Sequence, residues 1–222
     1  MSRHNDISGP SKPRHGLFRL LSLIFLVLIH PQLDQSMFSK LVLIVLSFFP
    51  LILVAVKLSH KRTLFWIFVA LMVGAGIFAI AGNILANQIL LTIQWGVLAA
   101  SCGLAVFELF FYVRQARAVT ADHLSTAASI YLLLAALWYN LFKAIQAIHP
   151  ASFQQTVTGA AIPRADLLYF SLATLTTLGY GDIVPVGAEV RMLAALEAAV
   201  GLLYVAITIA QLVSAYKPQA EQ

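Results

Sequence analysis

Apolar blocks of bilayer length follow one another along almost the whole chain. A helix rises 1.5 Å per residue, so crossing a hydrocarbon core of ~30 Å takes about 20 mostly apolar residues. Candidate spans cover 17–33, 39–58, 63–83, 88–113, 124–148 and 188–215. Their apolar residues show no period-2 alternation, which argues against a membrane β-barrel. Of the 222 residues, 60% are apolar and 10% are charged, whereas a soluble domain carries about 25% charged residues. The mean hydropathy of +0.87 describes the whole chain and excludes a soluble enzyme, a disordered chain and a fibre. Cys102 is the single cysteine, too few for a disulfide or a metal framework. The expected fold class is an all-α membrane protein with six transmembrane helices. A seventh apolar stretch, 165–178, is too short to cross and predicts a re-entrant segment between helices five and six.

Positive charge falls in every second connection: Lys57, Lys61 and Arg62, then Arg114 and Arg117, then Lys217. The alternate connections, 31–40 and 83–88, carry Asp34 and Lys40. The positive-inside rule then places both termini in the cytoplasm. Residues 1–16 are basic and rich in Ser, Pro and Gly, which predicts a disordered cytoplasmic tail. Span one is short, with Arg19 before its apolar core and His30-Pro31 after it. It reads either as an uncleaved span or as a signal peptide, although no small-residue cleavage site follows.

The re-entrant stretch runs from Asp166 to Asp182 and contains Thr177-Leu178-Gly179-Tyr180-Gly181-Asp182. Its first part suits a short helix, with Pro163 before it and Asp166 as cap, uninterrupted to Thr177. Gly179 and Gly181 then stop the helix, and their tolerance of positive φ permits a twist that points successive carbonyls one way. Irregular backbone at membrane depth persists only when buried in protein or lining a water-filled path. A row of carbonyls on such a path is a ligand set for a dehydrated monovalent cation.

This segment resembles the filter of tetrameric potassium channels, Thr-Val-Gly-Tyr-Gly-Asp, and the resemblance extends over about 124–215. It implies a filter of Thr177, Leu178, Gly179, Tyr180 and Gly181. The K+ ligands would be the carbonyls of the first four and the Thr177 hydroxyl, with Gly181 at the outer mouth. It further implies that Tyr169 and Phe170 form an aromatic cuff bracing Tyr180, and that Asp182 sits behind the mouth, held by the Tyr169 hydroxyl. Leu178 departs from the family's Val or Ile, but that position contributes its carbonyl. Ala173 stands where some bacterial members place a glutamate bonded to the filter aspartate, so that brace is missing here. One chain supplies one filter strand and a ring needs four, which implies a homotetramer.

By the same resemblance, Gly201 occupies the inner-helix hinge position, although close helix packing is the alternative. Leu202, Val205 and Ile209 would line the cavity, with Thr208 and Ala210 near the inner narrowing. Glu197 lies nine residues into span six, about 14 Å from its outer end. Depth alone places Asn140 and Lys143 of span five nearby, so a buried polar cluster of Glu197, Asn140 and Lys143 is expected. It serves either as a tie between helices or as a proton-sensitive gate.

Six spans with a pore between the last two match the plan of voltage-gated channels, whose fourth span repeats basic residues at every third position. Here no basic residue lies between Ile89 and Tyr112, and Glu108 is the one charged residue there. Weak or absent voltage dependence follows. The last residues, 216–222, leave no room for a cytosolic ligand-binding domain, so the gating stimulus stays open. His4, His15, His30, His60, His123 and His149 are scattered, unlike metal ligands. No catalytic motif and no cofactor is expected, K+ being the permeant ion. The basic pI of about 9.5 fits loops beside anionic lipid, not nucleic acid.

The expected organisation is a tail at 1–16, a peripheral four-helix region at 17–123, a pore domain at 124–215 and a cytoplasmic tail at 216–222. Function is expected to be passive K+ conduction in a cell membrane, with short loops suggesting a prokaryotic one. A secondary cation transporter and a non-conducting regulatory subunit are the alternatives. Transporters show internal repeats, and none is apparent between the two halves of this chain.

Overall fold

A computed structural model of the chain describes residues 14–30, 47–55, 62–115 and 119–214. Seven helices and two short strands follow in order: α1 (Arg14–Ile29), α2 (47–55), α3 (Arg62–Ile84), α4 (Gln88–Arg114), α5 (Ala121–Ile148), β1 (Phe153–Gln155), α6 (Asp166–Leu175), β2 (Ile183–Pro185) and α7 (Ala188–Ser214). Among the described residues, α3, α4, α5 and α7 are long and apolar enough to cross a membrane. The protein is thus a mostly helical membrane protein in which the short α6 sits between two long helices. Residues 39–46 and 56–58 of span two lie outside the described residues. So do 1–13, Asp34, Lys40, Lys57, Lys61, Arg117 and 216–222.

Helix α1 begins at Arg14, inside the segment expected to be a disordered tail. It docks on α5 by polar contacts. The Gly16 amide donates to Asp122 Oδ1 at 3.1 Å, and Arg19 Nη2 donates to the Thr126 hydroxyl at 2.7 Å. Tyr112 from α4 donates to the other Asp122 oxygen at 2.8 Å, so one carboxylate joins three helices. The α3–α4 connection is tight. Asn87 caps α4 by accepting from the amides of Ile89 and Leu90 at 2.9 and 3.4 Å, a standard use of asparagine at a helix start.

The α5–α6 linker carries a feature the sequence reading lacked. Strand β1 pairs antiparallel with β2, with Phe153 opposite Pro185 and Gln155 opposite Ile183. The Val186 amide extends the pairing to the Ser152 carbonyl at 2.7 Å. This strand pair ties the linker before the short α6 to the chain that leaves the glycine-rich turn. Three residues per strand are too few for alternation to show as a pattern.

The cap position of helix α6 is Ala165, and Asp166 falls in its first turn. Its first amides bond to near carbonyls: Asp166 to Pro163 at 3.1 Å, Leu167 to Arg164 at 3.3 Å and Leu168 to Ala165 at 3.4 Å. Such tightened bonds satisfy orphan donors at a helix start. Helix α7 presents Val190, Ala194, Glu197, Gly201 and Thr208 to the rest of the chain, a stripe with the spacing of one helix face.

Candidate functional site

Three consecutive backbone amides fix the turn after α6. Thr177 N–H donates to the Thr174 carbonyl at 2.9 Å, Leu178 N–H to Ala173 at 2.9 Å, and Gly179 N–H to Ala173 at 3.1 Å. No peptide among the described residues is cis. In a planar trans peptide the carbonyl points opposite to the amide that follows it. The carbonyls of Thr176, Thr177 and Leu178 are therefore directed away from α6. The backbone supports this geometry by alternation: Thr177, Gly179 and Gly181 have φ of 58°, 51° and 76°, while Leu178 and Tyr180 are not in the left-handed region. Glycine takes such values without strain. A β-branched threonine does not, and a residue held there costs on the order of 1–3 kcal/mol. The amide bonds to Ala173 and Thr174 are what hold it.

The far end of the turn is clamped from the residue after β1. The Thr156 hydroxyl donates to the Gly181 carbonyl, and the Thr156 amide donates to the Asp182 carbonyl at 2.9 Å. Gly181 thus has its oxygen engaged on the protein side, unlike the carbonyls before it. The Tyr169 hydroxyl donates to Asp182 Oδ2 at 2.9 Å. The Tyr169 and Tyr180 rings stack at 6.3 Å with an interplanar angle of 11°. Phe170 does not join them. It is 6% exposed and packs edge-on against Phe142 at 5.5 Å and Phe153 at 5.2 Å. Neighbouring helix positions lie about 100° apart, so Tyr169 and Phe170 face different partners. Phe170 anchors α6 to α5 and β1.

Glu197 is fully buried, but not in the expected cluster. Its Oε1 lies 2.5 Å from the Ser171 hydroxyl, which also lies 3.0 Å from the Ala135 carbonyl. Asn140 donates to the Ala136 carbonyl of its own helix at 2.7 Å, and Lys143 donates to the Tyr139 hydroxyl at 3.0 Å. Glu197 therefore links α7 to the middle of α6 and, through Ser171, to α5. Gly201 also meets α6: a Cβ at this position would collide with the Leu175 carbonyl. That carbonyl accepts from the Tyr131 hydroxyl of α5 at 3.0 Å. On the other side of α7, Leu202, Val205 and Ile209 are exposed in the single chain.

Residues 126–217 match the ion channel family Ion_trans_2. The match begins in α5, spans α6 and the glycine-rich turn, and ends just beyond α7. This segment is similar to the pore domain of ion channels. The chain is also 31% identical over 106 residues to the "Uncharacterized membrane protein YdjJ" of Bacillus subtilis (strain 168). That match covers 44% of this chain and 31% of the relative, so the chain spans about a third of the relative's length. The chain is thus a multi-pass membrane protein with a distant bacterial relative. No solved structure matches it.

Two residues of the pore-loop site escape sequence reading. Ser171 is one of several small residues on an apolar helix, and only the position of Glu197 gives it a role. Thr156 lies 25 residues before Gly181, in a linker without regular pattern. The one signal was the run of Ile183, Val184 and Pro185, which suits a short strand that needs a partner.

Proposed function

We propose that four copies of this chain form a K+-selective channel, with residues 177–181 of each copy as the filter. The observation that carries the reading is the return of three filter amides onto α6, which sends the carbonyls between them to the opposite side. Four such strands around an axis offer rings of carbonyls that replace the ion's water shell. The carbonyls of Thr177, Leu178, Gly179 and Tyr180, with the Thr177 hydroxyl, are the ligands. Gly181 closes the mouth, since Thr156 engages its oxygen, and the stacked Tyr169 and Tyr180 with Asp182 hold the filter from behind. Leu202, Val205 and Ile209 line an apolar cavity below it, and such a lining closes by dewetting. Gly201 lets α7 approach α6 closely and serves as the point about which the inner helix bends.

The wider architecture is six crossings with cytoplasmic termini, in which α1 is retained as a span. Its buried Arg19 and its contacts with Asp122 and Thr126 support that reading. Helix α4 carries Glu108 and, at its end, Arg114 as its charged residues, so the peripheral helices do not sense voltage.

The test is flux into liposomes containing the purified protein, driven by a K+ gradient or by a Na+ gradient. K+ entry that barium blocks, with no matching Na+ entry, is the expected result. Gly179→Ala places a methyl group on backbone with φ of 51° and is expected to abolish selective flux. Equal K+ and Na+ entry in the unmodified protein would refute the reading.

A further inference from the structure

Helix α7 is held differently on the two sides of Gly201. Before it, Glu197 lies 2.5 Å from the buried Ser171 hydroxyl of α6. Gly201 itself packs so close to the Leu175 carbonyl of α6 that a Cβ would collide with it. After it, Leu202, Leu203, Val205, Ile207, Ile209 and Val213 are exposed in the single chain, and Thr208 is buried. Among the described residues, one hydrogen bond joins this second half to another helix: the Tyr204 hydroxyl donates to the Ala127 carbonyl of α5 at 2.7 Å. The Tyr204 ring also lies 5.9 Å from that of Tyr131 on α5, at an interplanar angle of 35°.

The receiving end of that bond is firmly set. Ala127 follows Thr126, whose hydroxyl accepts from Arg19 of α1 at 2.7 Å. One turn earlier, Asp122 accepts from the Gly16 amide and from the Tyr112 hydroxyl of α4. The start of α5 is therefore fixed by α1 and α4, whereas the end of α7 rests on one hydrogen bond, one ring contact and the burial of Thr208. Segments with so few buried contacts open at low cost, and a glycine inside a helix is a place where it bends. Helical geometry gives the direction. Successive residues are about 100° apart, so Leu202, Val205 and Ile209 lie about 100–160° around α7 from Tyr204. The bond draws the second half of α7 toward α5, away from the side on which those three residues stand.

We propose that the Tyr204–Ala127 bond is a latch that sets how far α7 bends at Gly201, and that Tyr204 is thereby a positioning residue for the cavity wall. This rests on the reading of α7 as the cavity-lining helix of a four-chain pore. With the bond made, the face of Leu202, Val205 and Ile209 stands back toward α5 and the cavity is wide. With the bond broken, that face moves toward the axis, where an apolar constriction closes by dewetting. Tyr204 touches no ion and acts through the position of α7.

The experiment compares the full-length parent with Tyr204→Phe, which removes the hydroxyl and keeps the ring that packs on Tyr131. Two quantities are read: amide hydrogen exchange of 204–214 against 188–200 by mass spectrometry, and open probability in a planar bilayer. One hydrogen bond is worth roughly fivefold in a local equilibrium. Exchange in 204–214 is therefore expected to rise about fivefold, with 188–200 unchanged. Open probability is expected to fall several-fold at an unaltered reversal potential. Unchanged exchange after Gly201, or an equal rise on both sides of it, would overturn the latch. Faster exchange confined to 204–214 with unchanged or higher open probability would overturn its part in widening the cavity. The exchange comparison depends neither on the permeant ion nor on the number of chains. A parent that passes Na+ as freely as K+ contradicts the K+ reading alone, and exchange still decides the latch.

Discussion

Thr156 and Glu197 show how single side chains set the pore segment. The Thr156 hydroxyl is the side-chain donor to the Gly181 carbonyl, while its amide holds Asp182 independently. Thr156→Val keeps the shape and the amide bond but removes that donor, a loss of about 1 kcal/mol or roughly fivefold in a local equilibrium. The expected outcome is faster loss of current at low external K+, measured by patch recording, with recovery in Thr156→Ser. Unchanged inactivation would show that Thr156 does not hold the mouth. Glu197 faces a hydroxyl with one proton and two acceptors, Ser171 being close to both the Glu197 carboxyl and the Ala135 carbonyl. Glu197→Gln keeps an acceptor oxygen for the Ser171 hydroxyl and a similar shape, so thermal stability is expected to stay within about 0.5 kcal/mol of the parent. Glu197→Ala leaves a cavity and unpaired neighbours, a cost of about 2–5 kcal/mol read as a lowered melting temperature. Equal stability of the two variants would contradict the link between α7 and α6.

Among the elements, legibility followed the kind of information each one needs. Spans three to six were readable because burial in lipid demands length and apolarity, and both are written in composition. The short helix and the turn after it were readable because Gly179 and Gly181 interrupt an apolar run at fixed spacing. The partners of Glu197 were not, since residue count along a helix yields depth but not the direction a side chain faces. Asn140 turns to its own helix and Lys143 toward Trp95, although both lie at a suitable depth. The same missing angle separates Phe170 from Tyr169. Thr177 was misleading in another way, as its left-handed φ of 58° runs against the preference of a β-branched residue and comes from the bonds of its neighbours. The absence of basic residues along the membrane part of α4 leads to a prediction of its own. Each charge moved through the field contributes about 2.3 kcal/mol per 100 mV, so open probability should change little between strongly negative and positive potentials. Steep activation would require a sensor elsewhere in the chain.

In the whole molecule, large apolar surfaces stand exposed on the glycine-rich turn and on the open side of α7. Tyr180 is 68% exposed and Leu178 57%, and α7 shows Met192, Leu196, Leu202, Ile209 and Val213 on its open side. Three further copies around the filter axis would cover the filter side chains and surround the cavity face, which accounts for the exposure without any other partner. Native mass spectrometry in mild detergent is expected to find four chains, and a monomer as the sole species would remove the ring of carbonyls on which conduction depends. The central claim is that those carbonyls select K+. It is tested most directly by the reversal potential of the purified protein in a planar bilayer with K+ on one side and Na+ on the other. The account predicts a potential set by the K+ gradient, with Na+ carrying no measurable inward current. A reversal potential near zero, with both ions passing alike, would contradict it.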